Sequence, residues 1–263
     1  MEKTNQRIED IKRDGVELDF SEVFNPAFEI YKKIVGPAGV IMLLLIVVIA
    51  VIAFIGLFAA VGFNGMATNM QSFSPINLSF TFLMLYCVVI IAGAILSILL
   101  TAGFLQMAYN AFHNLDFSMG TAFKHFKSED TKELVIGATI VAIPNLIQIL
   151  FFEYIHLTLV GSLVSGIISL FTFLMVPLII FGKLKAVDAI LGSIHVILKN
   201  FLMIFLLLIV SYIIAIVGII GCGIGVAFTI PFMYAMIISI YIKIFEIPAS
   251  NAQIDSITKQ NFI

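Results

Sequence analysis

IVGPAGVIMLLLIVVIAVIAFIGLF, residues 34–58, decides the class of this chain. The stretch holds no Lys, Arg, Asp or Glu, and it lies in a run of 82 residues, 34–115, that holds none either. Residues 134–152, 154–182 and 201–242 are also free of these four residue types. A Lys, Arg or Asp at the centre of a membrane helix costs roughly 2.5–3.5 kcal/mol. Uncharged apolar runs of about 18 residues or more therefore read as membrane spans. We place six, at residues 38–62, 79–107, 134–152, 157–182, 201–220 and 224–245. At 1.5 Å per residue the first would be about 37 Å long, enough to cross a hydrocarbon core of about 30 Å with some tilt.

Composition agrees with this reading. Of 263 residues, 61% are hydrophobic and 11% charged, against about 45–50% and 25% in soluble domains. Those values exclude an ordinary water-soluble globule and a disordered chain. The 14 Lys and Arg are balanced by 16 Asp and Glu, so the basic excess of a nucleic-acid binder is missing.

Cations give the orientation. With the N-terminus inside, the inner segments are 1–37, 108–133, 183–200 and 246–263, and Lys243 falls at the inner end of the sixth span. All 14 Lys and Arg are then cytoplasmic, as the positive-inside rule requires. The outer loops, 63–78, 153–156 and 221–223, carry no cation and one acid, Glu153. The first 33 residues carry 14 charges and no apolar signal-peptide core, so the first span is expected to be an uncleaved anchor. Cys87 and Cys222 read as separate buried thiols rather than a disulfide.

Each pair of spans follows a stretch of mixed polarity, at 18–36, 115–133 and 186–200. Leu18–Ser21 and Leu115–Ser118 are the same four residues, LDFS. Phe20, Val23, Phe24, Ala27, Phe28, Tyr31, Ile34 and Val35 follow three-and-four spacing. So do Val187, Ile190, Leu191, Ile194, Ile197, Leu198 and Phe201. Asn25-Pro26 can cap and start a helix, which would split the first stretch in two. Ser118 can cap a helix carrying Phe123 and Phe126. The expected fold is therefore an all-α integral membrane protein. Its six transmembrane helices form three hairpins, each preceded by a cytoplasmic amphipathic segment in the headgroup region. The divisions are 1–37, an N-terminal amphipathic segment; 38–245, the membrane domain; and 246–263, a cytoplasmic tail.

Reactive groups are sparse. None of the six span cores contains an Asp, Glu, Lys, Arg or His, which argues against a proton-coupled pump with a midplane carboxylate. Asn145 and Gln148, one turn apart after Pro144, share a face. Ser162, Ser165, Ser169 and Thr172 form a stripe on the fourth span, and Gly93, Ser97 and Thr101 one on the second. These patterns suit close helix packing. The alternative is a polar path lined by Asn145, Gln148, Ser162, Ser165, Ser169 and Thr172, since buried amides need partners. Pro144, Pro177 and Pro231 fall inside spans and are expected to kink them. Gly218, Gly221, Gly223 and Gly225 make the last turn. His113, His125 and His195 face in and His156 out, so they form no single four-histidine site. Glu153 with His156 is the sole acid/base pair suggested at the outer surface. No catalytic residue, metal site or cofactor is expected.

Two regions carry a family likeness. One is GFLQMAYNAFHNLDFSMGTAF, residues 103–123. The other is KAVDAILGSIHVILKNFLMIFLLLIV, residues 185–210, with GCGIGVAFTIPFMYAMIISIY, residues 221–241. Together they resemble a group of uncharacterised multi-pass prokaryotic membrane proteins. This group is similar to the YciC-like inner-membrane proteins and to the membrane domain beside some glycerophosphoryl diester phosphodiesterases. The positions that carry the likeness are Tyr109, Ser193, Lys199, Asn200, Gly223, Gly225, Pro231 and Tyr241. Phe112-His113 departs from it, where a basic residue is usual. The resemblance implies no catalytic residues, because the phosphodiesterase chemistry belongs to a separate soluble barrel.

The expected function is that of a non-enzymatic inner-membrane protein that organises or senses the bilayer or scaffolds partners. Both termini are expected to be cytoplasmic. Its partners would be membrane lipids, a second copy or another membrane protein, and no nucleic acid. The alternative is a transporter or flippase-like carrier of an apolar or lipid-like solute.

Overall fold

A computed structural model describes residues 2–69, 80–221 and 224–245. Among the described residues the chain is helical throughout, with no strand. The α-helices are α1 (Glu2–Asp14), α2 (Phe20–Asn69), α3 (Phe80–Phe112), α4 (Thr131–Tyr154) and α5 (Thr158–Thr172). They continue as α6 (Met175–Ile180), α7 (Ala186–Lys199), α8 (Phe201–Val217), α9 (Ile224–Thr229) and α10 (Pro231–Phe245). Two 3-10 helices, Met119–Lys127 and Gly218–Gly221, join α3 to α4 and α8 to α9.

Five helical stretches are long and apolar enough to cross a membrane. They are Phe20–Ile52, Leu83–Phe112, Thr131–Tyr154, Thr158–Ile180 and Ile224–Phe245. The pair α7 and α8, bent by 101°, would make a sixth. The uncharged runs thus become helices, because a backbone without water must bond to itself. Prolines mark the interruptions unevenly. Pro231 opens α10 and Pro177 lies in the short α6 just after a break at Phe173–Leu174. Pro144 lies within an unbroken α4.

The first stretch departs from expectation. α2 runs without a break from Phe20 to Asn69 and contains both Pro26 and Pro37. Asn25-Pro26 therefore does not split it, and the helix runs on through position 37. The separate N-terminal element is α1, a polar helix that buries Ile8 and Ile11. Asp19 Oδ1 starts α2 by accepting from Ser21 N at 2.8 Å and Glu22 N at 3.2 Å, the N-cap pattern. The second LDFS leads into a 3-10 helix instead, and Leu115 is exposed where Leu18 is buried.

The core sits at the lysine-bearing end. On α2 the buried residues are Val23, Ala27, Ile30, Ile34, Ala38, Gly39 and Ile41, and from Met42 to Ile52 none is buried. On α3 burial begins at Leu99 and runs to Ala111. α10 passes through the middle: 61% of the Ile224–Phe245 window is buried, against 6% for the window on α3. It packs against α2, α3 and α8. Phe104 stacks on Tyr234, with ring centroids 5.0 Å apart. The opposite halves of the helices turn large apolar side chains outward, among them Ile52, Phe54, Leu159, Leu163 and Ile213.

Candidate functional site

Two polar regions are built by this packing. The first lies between α4 and α5. Gln148 Nε2 donates to Ser165 Oγ at 2.5 Å across the two helices, while Gln148 Oε1 is buried with no hydrogen-bond partner. Asn145 Nδ2 donates one turn back to Val141 O at 3.3 Å. Ser162 and Thr172 likewise bond to Thr158 O and Ile168 O, at 3.1 and 2.8 Å. Ser162 and Ser169 lie on the exposed face of α5. Of the six residues marked in the sequence, the fold therefore joins Gln148 to Ser165. Asn145, Ser162 and Thr172 bond within their own helices.

The second region is at the lysine-bearing end. Gln106 Nε2 donates to Asn110 Oδ1 at 2.8 Å, Asn110 Nδ2 to Asp116 O at 3.0 Å, and Lys124 Nζ to Gln106 Oε1 at 3.3 Å. This ladder fastens the 3-10 helix Met119–Lys127 to α3. Lys33 Nζ reaches from α2 to Ala111 O at 2.9 Å and Asn114 Oδ1 at 2.7 Å, a cation on the carbonyls that end α3. Arg7 Nε donates to Ile244 O at 2.9 Å and Thr4 Oγ1 to Gly182 O at 3.1 Å, so α1 is tied across the ends of α10 and α6. Lys243 of α10 pairs with Glu22 of α2.

Two buried serines bond to the backbone outside their own helices. Ser193 Oγ on α7 donates to Phe171 O at 2.7 Å and accepts from Leu174 N at 3.3 Å, bridging the break between α5 and α6. Ser239 Oγ on α10 donates to Val23 O at 2.6 Å. Glu133 Oε2 on α4 accepts from Ala186 N at 2.9 Å and so closes the start of α7.

The histidines occupy four separate elements. The His113 ring packs 4.4 Å from Tyr109, after α3. His156 ends α4 with φ 56° and an exposed side chain, its backbone N donating to Glu153 O at 3.1 Å. His195 Nδ1 lies 2.6 Å from Leu191 O on its own helix. His125 is buried in the 3-10 helix, and burial holds its imidazole below the usual histidine range, partly offset by Asp130. Among the described residues no group of three or more His, Cys, Asp or Glu side chains is placed to hold a metal ion. Cys222 and Gly223 lie outside the described residues, as does the tail 246–263.

The side-chain donors of this arrangement go mainly to backbone carbonyls, and backbone amides donate to Ser193 and Glu133. Ser239 and the Asp130–Lys183 pair beside His125 were not marked in the sequence, because their partners are distant along the chain. The one local signal was the run of Lys, Ser and Asp between residues 124 and 132. No protein-family model matches the sequence, and no curated protein or solved structure shows significant similarity to it.

Proposed function

We propose that this chain is a multi-pass inner-membrane protein of six spans in three hairpins. In this reading both termini are cytoplasmic, no catalytic machinery is present, and the protein organises or senses the bilayer or scaffolds membrane partners. One observation carries the reading: the 101° bend between α7 and α8. If α8 crosses the membrane, α7 lies close to its plane. Ala189, Gly192, Ser193, Val196 and Ile197 of α7 are buried, while Val187, Leu191 and Leu198 stay exposed along the other side. An apolar stripe at that level meets lipid headgroups and the first acyl carbons. The likeness to the YciC-like group agrees with this assignment.

The test is a spin label at Leu191→Cys in a background without Cys87 and Cys222. In nanodiscs it should relax with lipid-soluble oxygen and report headgroup depth. A label that responds only to a water-soluble agent would overturn the reading. Orientation is tested with thiols at Asn69→Cys and Glu129→Cys. An impermeant reagent on intact cells should reach the first and miss the second; the reverse would invert the topology.

A second reading, a carrier of an apolar or lipid-like solute, draws on Gln148 Oε1, an acceptor with no partner. Asn145, Gln148 and the stripe from Ser162 to Thr172 would line the path. Native mass spectrometry of the gently solubilised protein separates the two readings. Retained phospholipid or a protein partner favours the first; a retained apolar solute favours the second. Flux of that solute unchanged by Asn145→Leu with Gln148→Leu would reject the polar path.

A further inference from the structure

His125 stands where three elements meet. It belongs to the 3-10 helix Met119–Lys127 and is 2% exposed. Its carbonyl accepts from Thr131 Oγ1 at 2.9 Å, at the start of α4. Its Nδ1 lies 3.3 Å from Ser128 Oγ and 3.8 Å from Asp130 Oδ2. Asp130 in turn receives Lys183 Nζ at 2.9 Å on each oxygen, from the turn between α6 and α7. The other ring nitrogen, Nε2, is buried and has no hydrogen-bond partner. The charged groups acting on the ring are Asp130, which favours the imidazolium, and Lys124 and Lys183, which oppose it.

We propose that His125 is a protonation-released latch: neutral, it locks residues 119–127 against α3 and α4, and protonated, it leaves its pocket and frees that segment. Only Nδ1 has polar neighbours, the Ser128 hydroxyl and the Asp130 carboxylate. The neutral ring can keep its proton on that side, whereas the imidazolium must also carry one on Nε2, a buried N–H with nothing to accept it. Asp130 is already engaged by Lys183 and does not face that side. The imidazolium is therefore better served in water, with the segment displaced.

The direction follows from linkage. The closed form holds the imidazole below its usual value, whereas the open form has the ordinary value of about 6.5. The open form thus binds the proton more readily. Closure keeps its full stability above about pH 6.5, loses it as the pH falls below that value, and has lost it all below the lowered value. This holds on whichever side of the membrane the segment lies.

Hydrogen–deuterium exchange of the full chain in nanodiscs at pH 7.5 and 5.5, corrected for intrinsic exchange, tests the latch. Exchange across residues 119–133 should rise by about threefold or more at the lower pH, with α10 unchanged. In His125→Gln that rise should vanish. A wild-type segment indifferent to pH, or a His125→Gln segment that still responds as wild type, overturns the proposal. If α10 in His125→Gln exchanges freely, showing misfolding, Asp130→Asn decides instead. Loss of that carboxylate lowers the closed form's affinity for the proton further, so the rise in exchange between pH 7.5 and 5.5 should grow, and an unchanged or smaller rise overturns the latch.

Discussion

Gly103 and Ala122 meet backbone to backbone: a Cβ on Gly103 would stand 1.8 Å from the carbonyl oxygen of Ala122. The 3-10 helix is thereby pressed onto α3 where α3 carries no side chain, and a backbone oxygen cannot rotate aside. Gly103→Ala should cost about 1–3 kcal/mol through overpacking. Gly93, on the same helix, has nothing within 4 Å of its virtual Cβ, so Gly93→Ala should stay within about 0.5 kcal/mol of wild type. Thermal unfolding of both variants in one detergent gives the comparison, and equal shifts would contradict it.

Ser193 is wholly buried and its hydroxyl serves both Phe171 O and Leu174 N. Ser193→Ala leaves an amide and a carbonyl at the α5–α6 break without that partner. A loss of about 1–3 kcal/mol is expected, with faster hydrogen exchange confined first to residues 171–176. Unaltered exchange there would mean that the break is held by packing alone.

Gln148 and Ser165 form a polar contact between α4 and α5. Interhelical hydrogen bonds of this kind average about 0.6 kcal/mol in double-mutant cycles and reach about 1.7. Gln148→Leu, Ser165→Ala and their combination should show coupling in that range by steric trapping in bicelles. Strict additivity would dissolve the bridge.

Glu133 accepts the first free amide of α7. Its charge also faces the positive end of that helix, an effect worth about 0.3–1 kcal/mol. Glu133→Gln should lose that amount and keep an acceptor. Glu133→Ala should lose more, about 0.5–2 kcal/mol. An inverted order of the two melting temperatures would remove the capping role.

Much of the architecture was legible because one physical constraint dominates it. A charge-free run such as 34–58 has to be helical and apolar-faced, and the helices fall where those runs lie. The helical spacing of Val187 to Phe201 likewise marked α7 in advance. What stayed hidden depends on partners far along the chain. Pro26 deprives Glu22 O of its helical N–H, which made a break look natural. Yet α2 continues, with Ser239 hydrogen-bonded to the adjacent Val23 O from 216 positions away. Lys183 and Asp130 are 53 positions apart, so the ion pair beside His125 had no local signature. Asn145 and Gln148 did share a face, but only Gln148 crosses to its neighbour; Asn145 bonds back to Val141.

The packing of this bundle is concentrated at one end, where α10 is enclosed and α1 is tied beneath it. Along Met42–Ile52 and Leu83–Ile98 few contacts within the chain fix the helices, and the solvent decides their spacing. In a bilayer such a body would be stiffer at the enclosed end than at the other. Its width at the open end would follow lateral pressure, while the anchored end would deform less. Stretching or thickening the bilayer would then change the taper of the protein without breaking a single packed core contact.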